Sequence, residues 1–111
     1  MEVTTKELRR CDLVTATGRI DVSTLEVLAQ ALASIKEAGR YKIVLNMKDA
    51  TYISSAGLGE LIATQKSCHH LKRGELVLAE VSPHIEEVLD LAGLTSLFKL
   101  FDSEVEAVGS F

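Results

Sequence analysis

The chain has 111 residues, with 12 Lys or Arg against 16 Asp or Glu, a formal net charge of −4, and 47% apolar and 25% charged residues. That length predicts one domain, long enough to bury roughly 60–70% of its unfolded surface, with the composition of an ordinary globular protein. The charge balance gives no basis for nucleic-acid binding, and no apolar run approaches the roughly 18–20 residues of a membrane span.

The first residues, Met1 to Lys6, lack the apolar core of a signal peptide. Cys11 and Cys68 lie far apart and fit no metal or redox spacing. Free thiols in a cytoplasmic protein are the expectation.

Residues 2–8 and 11–17 carry recurring Thr, Val and Leu and read as two strands turning at Arg9-Arg10, with Gly18 breaking the second. Asp21 and Ser23 then offer N-cap oxygens. Behind them, Leu25, Leu28, Ala29, Leu32 and Ile35 are spaced along one face of a helix that Gly39 ends. Tyr41–Met47, centred on Ile43-Val-Leu45, is apolar nearly throughout and predicts a strand buried on both faces.

The most informative stretch follows: Tyr52-Ile-Ser-Ser-Ala-Gly-Leu-Gly-Glu-Leu61. Two adjacent serines fall at a strand-to-helix turn. A helix start has free N–H groups and a partial positive charge, which suit an oxyanion or a phosphate. A serine there is either a cap or a modification site. The turn lies beyond the carboxyl end of a central strand, where open α/β sheets carry their sites. Gly57 and Gly59 are expected to leave the nearby surface bare for a partner to approach. Asp21, ending the second strand, is expected at the same end of the sheet as Ser55.

Leu58, Leu61, Ile62, Gln65, Cys68 and Leu71 trace the next helical stripe, stopped by Gly74. Leu76-Val-Leu78 and Val81 predict a strand. Ser82-Pro83 opens a third helix with Ile85, Val88, Leu89 and Ala92 on its apolar face, ending at Gly93. Leu97–Phe101 reads as a last strand, and Asp102 or Ser103 caps a final short helix. The order β-β-α-β-α-β-α-β-α predicts one α/β domain. Its mixed sheet should have four or five strands, mostly parallel with an antiparallel N-terminal edge, and four to five helices packed on it.

Other candidates carry less. Cys68, His69 and His70 are consecutive on a helix and cannot converge on one metal ion. His84, Glu86 and Glu87 read as a solvated face. No Gly-Lys-Ser/Thr phosphate loop follows a strand, and Gly57-Leu-Gly59 lacks the third glycine of a dinucleotide fingerprint. No cofactor is expected. No histidine is placed as a base for Ser55, so the serine turn is not a nucleophile elbow and no enzyme is expected.

Ile53-Ser-Ser-Ala-Gly-Leu-Gly59 after an apolar strand resembles the signature of STAS domains, and specifically of bacterial anti-sigma factor antagonists. Gly18-Arg-Ile-Asp21, Ile43-Val-Leu-Asn46, Leu76-Val-Leu78, Ser82-Pro83 and Leu91-Ala-Gly-Leu94 resemble further family segments in the family's order, making residues 1–111 one STAS domain. The resemblance implies a protein-binding switch in transcription regulation. A serine two positions before the first glycine is phosphorylated by an anti-sigma factor that is also a serine kinase. A metal-dependent serine/threonine phosphatase resets it. The unphosphorylated antagonist binds the kinase and so frees a sigma factor. That serine is Ser55 here. Many members have Asp before it, whereas this chain has Ser54, an alternative acceptor. The implied partner-binding residues are Asp21, Ser23, Ser54, Ser55, Ala56, Gly57, Leu58 and Gly59. A STAS signalling or scaffold module without serine phosphorylation is the second role that the resemblance allows.

Overall fold

In the computed structural model, which describes residues 1–111, strand β3 (Lys42–Asn46) is buried from Ile43 onward and feeds two cores. Successive strand residues face opposite sides of a sheet. Ile43 and Leu45 accordingly join an 18-residue cluster on one face, while Val44 joins a smaller one on the other. Before β3 come β1 (Glu2–Glu7), β2 (Asp12–Ile20) and α1 (Leu25–Glu37). After it come β4 (Ala50–Ile53), α2 (Ser55–His69), a 3-10 turn over His70–Lys72 and β5 (Glu75–Ala79). α3 (Pro83–Leu91), β6 (Leu100–Phe101) and α4 (Glu104–Gly109) complete the chain.

The strands form one mixed sheet in the order β1-β2-β3-β5-β6, with β4 paired to β2. β1 is antiparallel to β2, and every other pairing is parallel. Leu28, Leu32 and Ile35 of α1, Leu61 and Cys68 of α2, and Ile85 and Leu89 of α3 cover the larger core. Ala107 of α4 closes the smaller one over Cys11, Val44, Val77 and Ala79. Gln65, fully buried, fastens α2 to the sheet. Its Nε2 donates to the carbonyls of Leu76 (3.0 Å) and Leu97 (2.9 Å), and its Oε1 accepts from the Leu76 N–H at 2.7 Å. A buried amide satisfied in this way avoids the cost of unpaired polar atoms.

The sheet has six strands, against the four or five expected, because Ala50–Ile53 forms a strand of its own. Gly18 does not break β2. It adopts φ +99°, the register shifts between Gly18 and Arg19, and the strand runs on to Ile20 beside β4. A bulge that only glycine accommodates without strain accounts for both signals. Leu71 leaves the helical stripe: α2 ends at His69, and Leu71 lies at φ 57° with 79% of its surface exposed. Val81 falls beyond β5, and Ala92 is exposed past the end of α3. Four helices form, and the capping serines Ser82 and Ser103 accept from the N–H groups of Ile85 and Glu106.

Candidate functional site

β2 and β4 end together. Arg19 pairs with Tyr52 and Ile20 with Ile53, and the Ser54 N–H donates to the Ile20 carbonyl at 2.8 Å. Adjacent strands lie about 4.8 Å apart, so Asp21, next after Ile20, leaves the sheet beside Ser54 and Ser55. The structure therefore brings together the two turns that the sequence singles out.

The two serines differ in what they do. Ser54 is extended (φ −89°, ψ 172°) and is the N-cap of α2; its hydroxyl accepts from the Gly57 N–H at 3.2 Å. Ser55 is the first helical residue and is exposed, and its hydroxyl enters none of the domain's side-chain hydrogen bonds. It stands among the unpaired N–H groups of a 15-residue helix start, where the peptide dipoles leave partial positive charge.

Asp21 does not cap α1, and neither does Ser23. The helix begins at Leu25 behind Thr24, which makes no side-chain cap bond. The Asp21 carboxylate instead closes the turn ahead of it. Oδ1 accepts from the Ser23 N–H (3.0 Å), the Ser23 hydroxyl (2.7 Å) and the Thr24 hydroxyl (3.3 Å). This is an Asx-type turn, in which a short carboxylate bonds the backbone two residues on. Oδ2 faces Arg19 Nε at 3.3 Å. The Ser23 hydroxyl, with smaller contributions from Arg19 and Thr24, holds the Asp21 carboxyl below the usual carboxylate range.

The glycines also divide. Gly59 is exposed and a Cβ there would meet nothing within 4 Å, in keeping with a bare surface. Gly57 is buried, contrary to the expected open approach. A Cβ there would stand 2.8 Å from both Ile20 Cγ2 and Ile53 Cγ1, because the first turn of α2 packs onto the strand ends. Ala56 and Leu58 are half-buried, and Leu58 packs against the larger core.

Three neighbours escaped the sequence reading. The Arg19 guanidinium lies 4.2 Å over the Tyr52 ring, a cation–π contact across the β2–β4 pair. Val22, next to Asp21, is 80% exposed. Recognising β4 would have exposed the Arg19–Tyr52 pair, since it follows from the register. Nothing in the local pattern signals that Val22 is left in solvent. Elsewhere, His69 and His70 are exposed beside buried Cys68, and burial pushes the Cys68 thiol up to about 11 against the opposing pull of Lys36 and Arg73. That thiol is chemically quiet near neutral pH.

Residues 2–107 match the family described as STAS domain. BtrV of Bordetella bronchiseptica, whose name marks it as an anti-sigma factor antagonist, is 34% identical over 94 residues, spanning 85% of this chain and 80% of its own. An anti-sigma factor antagonist from Mycobacterium paratuberculosis superposes with a TM-score of 0.88 at 21% identity, covering 98% of this chain and 92% of that one. The Bacillus cell fate determinant SpoIIAA, solved in its phosphorylated form, superposes with a TM-score of 0.77 at 17% identity, covering 98% of each chain.

Proposed function

The chain belongs to the STAS domain family, and from that premise we propose that it is an anti-sigma factor antagonist switched by phosphorylation of Ser55. In the unmodified state the domain binds an anti-sigma factor and so frees a sigma factor for transcription. The anti-sigma factor is itself the serine kinase. The Ser55 Oγ attacks the γ-phosphorus of ATP, ADP leaves, and the hydroxyl proton passes to a base of the kinase. A metal-dependent serine/threonine phosphatase hydrolyses the phosphoserine and restores the binding form.

The division of labour between the two serines carries this reading. Ser54 supplies the cap, so the fold makes no use of the Ser55 hydroxyl, which faces solvent. Modifying it leaves the cap in place. A phosphate adds about −1.5 to −2 charge at pH 7. The helix dipole favours that charge at this position, which argues against unfolding as the means of switching. The change falls on the recognition surface, for which Asp21, Ser23, Ser54, Ala56, Leu58 and Gly59 are the candidates around Ser55, while buried Gly57 lets the helix start pack onto the strand ends beneath them. The Asp21 carboxylate, ionised at neutral pH, adds a like charge beside the phosphate and raises the electrostatic contrast between the two states.

Phosphopeptide mapping after incubation with the cognate kinase and ATP tests the assignment. The expected result is label on Ser55 in the wild type and in Ser54→Ala, and none in Ser55→Ala. Label confined to Ser54, or absent from both serines, overturns it.

A further inference from the structure

The opposite end of the sheet holds a second, positively charged site. A cavity of about 170 Å³ opens where β2, β3 and β5 begin, lined by Arg10, Arg40, Lys42 and Arg73 together with Gly39 and Tyr41. We propose that it binds a small phosphate-bearing anion through these four cationic side chains, independently of the Ser55 switch.

Two of the four are held in place. Arg73 Nε donates to the His70 carbonyl (3.1 Å), Nη1 to the Tyr41 hydroxyl (2.8 Å) and Nη2 to the Ser67 carbonyl (3.4 Å), and the guanidinium stacks 3.9 Å over the Tyr41 ring. Arg40 Nε donates a bifurcated bond to the two Asp12 carboxylate oxygens at 2.9 and 3.0 Å, and Nη2 donates to the carbonyls of Leu8 and Cys11. Arg40 Nη1 takes no part in these bonds. Guanidiniums fixed in advance lose little freedom on binding an anion, and their planar forks match phosphate oxygens. The other two adapt. Lys42 is exposed and makes no ion pair, and Arg10 makes only a 3.5 Å contact to the Phe111 carbonyl.

The plain structural purpose of this charge is to offset the helix ends, because α1 and α2 both finish at this pole. Each helix end carries roughly −0.5 charge. Two ends therefore account for about −1 against four cations. Asp12 and Glu7 offset a further two, both through Arg40, at 2.9 and 3.8 Å. Lys42 and Arg73 have no carboxylate within ion-pair distance. The excess persists on a chain whose net charge is −4, so it is local to this pole. A cavity of this size accepts a phosphoryl or pyrophosphoryl group and leaves any attached organic part outside.

Titration of 15N-labelled protein with sodium pyrophosphate and, separately, with ADP tests the site, using sodium chloride at matched ionic strength as control. Saturable shifts are expected at the amides of Gly39, Lys42 and Gly74 with both phosphate compounds and not with chloride. The double variant Arg10→Ala/Lys42→Ala removes only exposed side chains and should weaken binding at least about tenfold with an unchanged melting curve, since a charge-assisted hydrogen bond is worth about one such factor or more. Equal affinity for pyrophosphate and ADP identifies the phosphate group as the whole ligand, whereas tighter ADP binding identifies a nucleotide; both support the site. Shifts that chloride reproduces, shifts that the double variant retains undiminished, or no saturable shifts at this pole overturn it.

Discussion

At the carboxyl end of the parallel strands, the Ser55 hydroxyl stands free in solvent, while at the amino end Arg40 and Arg73 are bound to four carbonyls, a carboxylate and a phenol. The glycines repeat the contrast. Gly57, under the serine turn, approaches the γ-carbons of Ile20 and Ile53, whereas Gly74, where β5 begins, lies against the backbone of Tyr41. On the proposed reading this surface takes two chemical states through one hydroxyl, that of Ser55, which the fold does not use. The other end spends its polar groups on holding strand and helix ends together. Fixed and changeable chemistry are thus separated along the strand direction, so that altering one end leaves the other intact.

The largest effect that sharpens this contrast is expected at the fixed end. In Gly74→Ala the new Cβ would overlap the carbonyl oxygen and carbon of Tyr41, which are backbone atoms, so β5 must move away from β3. A loss of about 3 kcal/mol or more is expected in urea denaturation. Gly57→Ala meets the γ-carbons of Ile20 and Ile53 at 2.8 Å and the Ile20 carbonyl oxygen only at 3.3 Å, so it overlaps side chains rather than backbone, and a smaller loss of about 1–2 kcal/mol is expected by the same measurement. Equal costs at the two glycines would break the comparison. Ser54→Ala removes the cap on the Gly57 N–H and is expected to cost about 1 kcal/mol, read as a lower urea midpoint at unchanged slope.

The smallest effect is electrostatic. The Asp21 carboxyl is lowered in the folded state, first by the Ser23 hydroxyl, so its ionised form favours folding. That contribution is fully present above the unfolded value of about 3.9 and fades as pH falls through the folded value. Wild type is therefore expected to exceed Asp21→Asn slightly at neutral pH, with the gap closing under acid. A gap that widens as pH falls below about 4 would contradict the role given to the Asp21 turn.

The helical faces were legible because the apolar spacing is regular: Leu28, Leu32, Leu61 and Leu89 are all buried as their periodicity requires. The cap at Ser82 was legible from residue type, whereas Ser103 was one of two candidates with Asp102 and the backbone chose it. β4 was not, since Ala50–Ile53 alternates over only four residues and runs straight into the serine turn. Leu71 misled because spacing cannot show where a helix stops, and here the chain turns left-handed just after His69. At the site, the sequence located the serine turn and the Asp21 turn. It left open which serine caps, a question settled by backbone angles and the Gly57 N–H. The Arg19–Tyr52 contact, the Arg40 and Arg73 bonds and the burial of Gly57 all depend on residues brought together from separate segments, which local pattern does not encode.

On the proposed reading, one exposed hydroxyl, that of Ser55, governs partner binding. The most direct test is the affinity of the purified domain for a serine-kinase anti-sigma factor, measured by calorimetry with Ser55 unmodified and with phosphoserine at that position. The account predicts tight binding of the unmodified form, a loss of about a hundredfold or more on phosphorylation, and circular dichroism spectra that coincide. Equal affinity of the two forms, or a weaker phosphorylated form whose spectrum shows that the domain has unfolded, would contradict it.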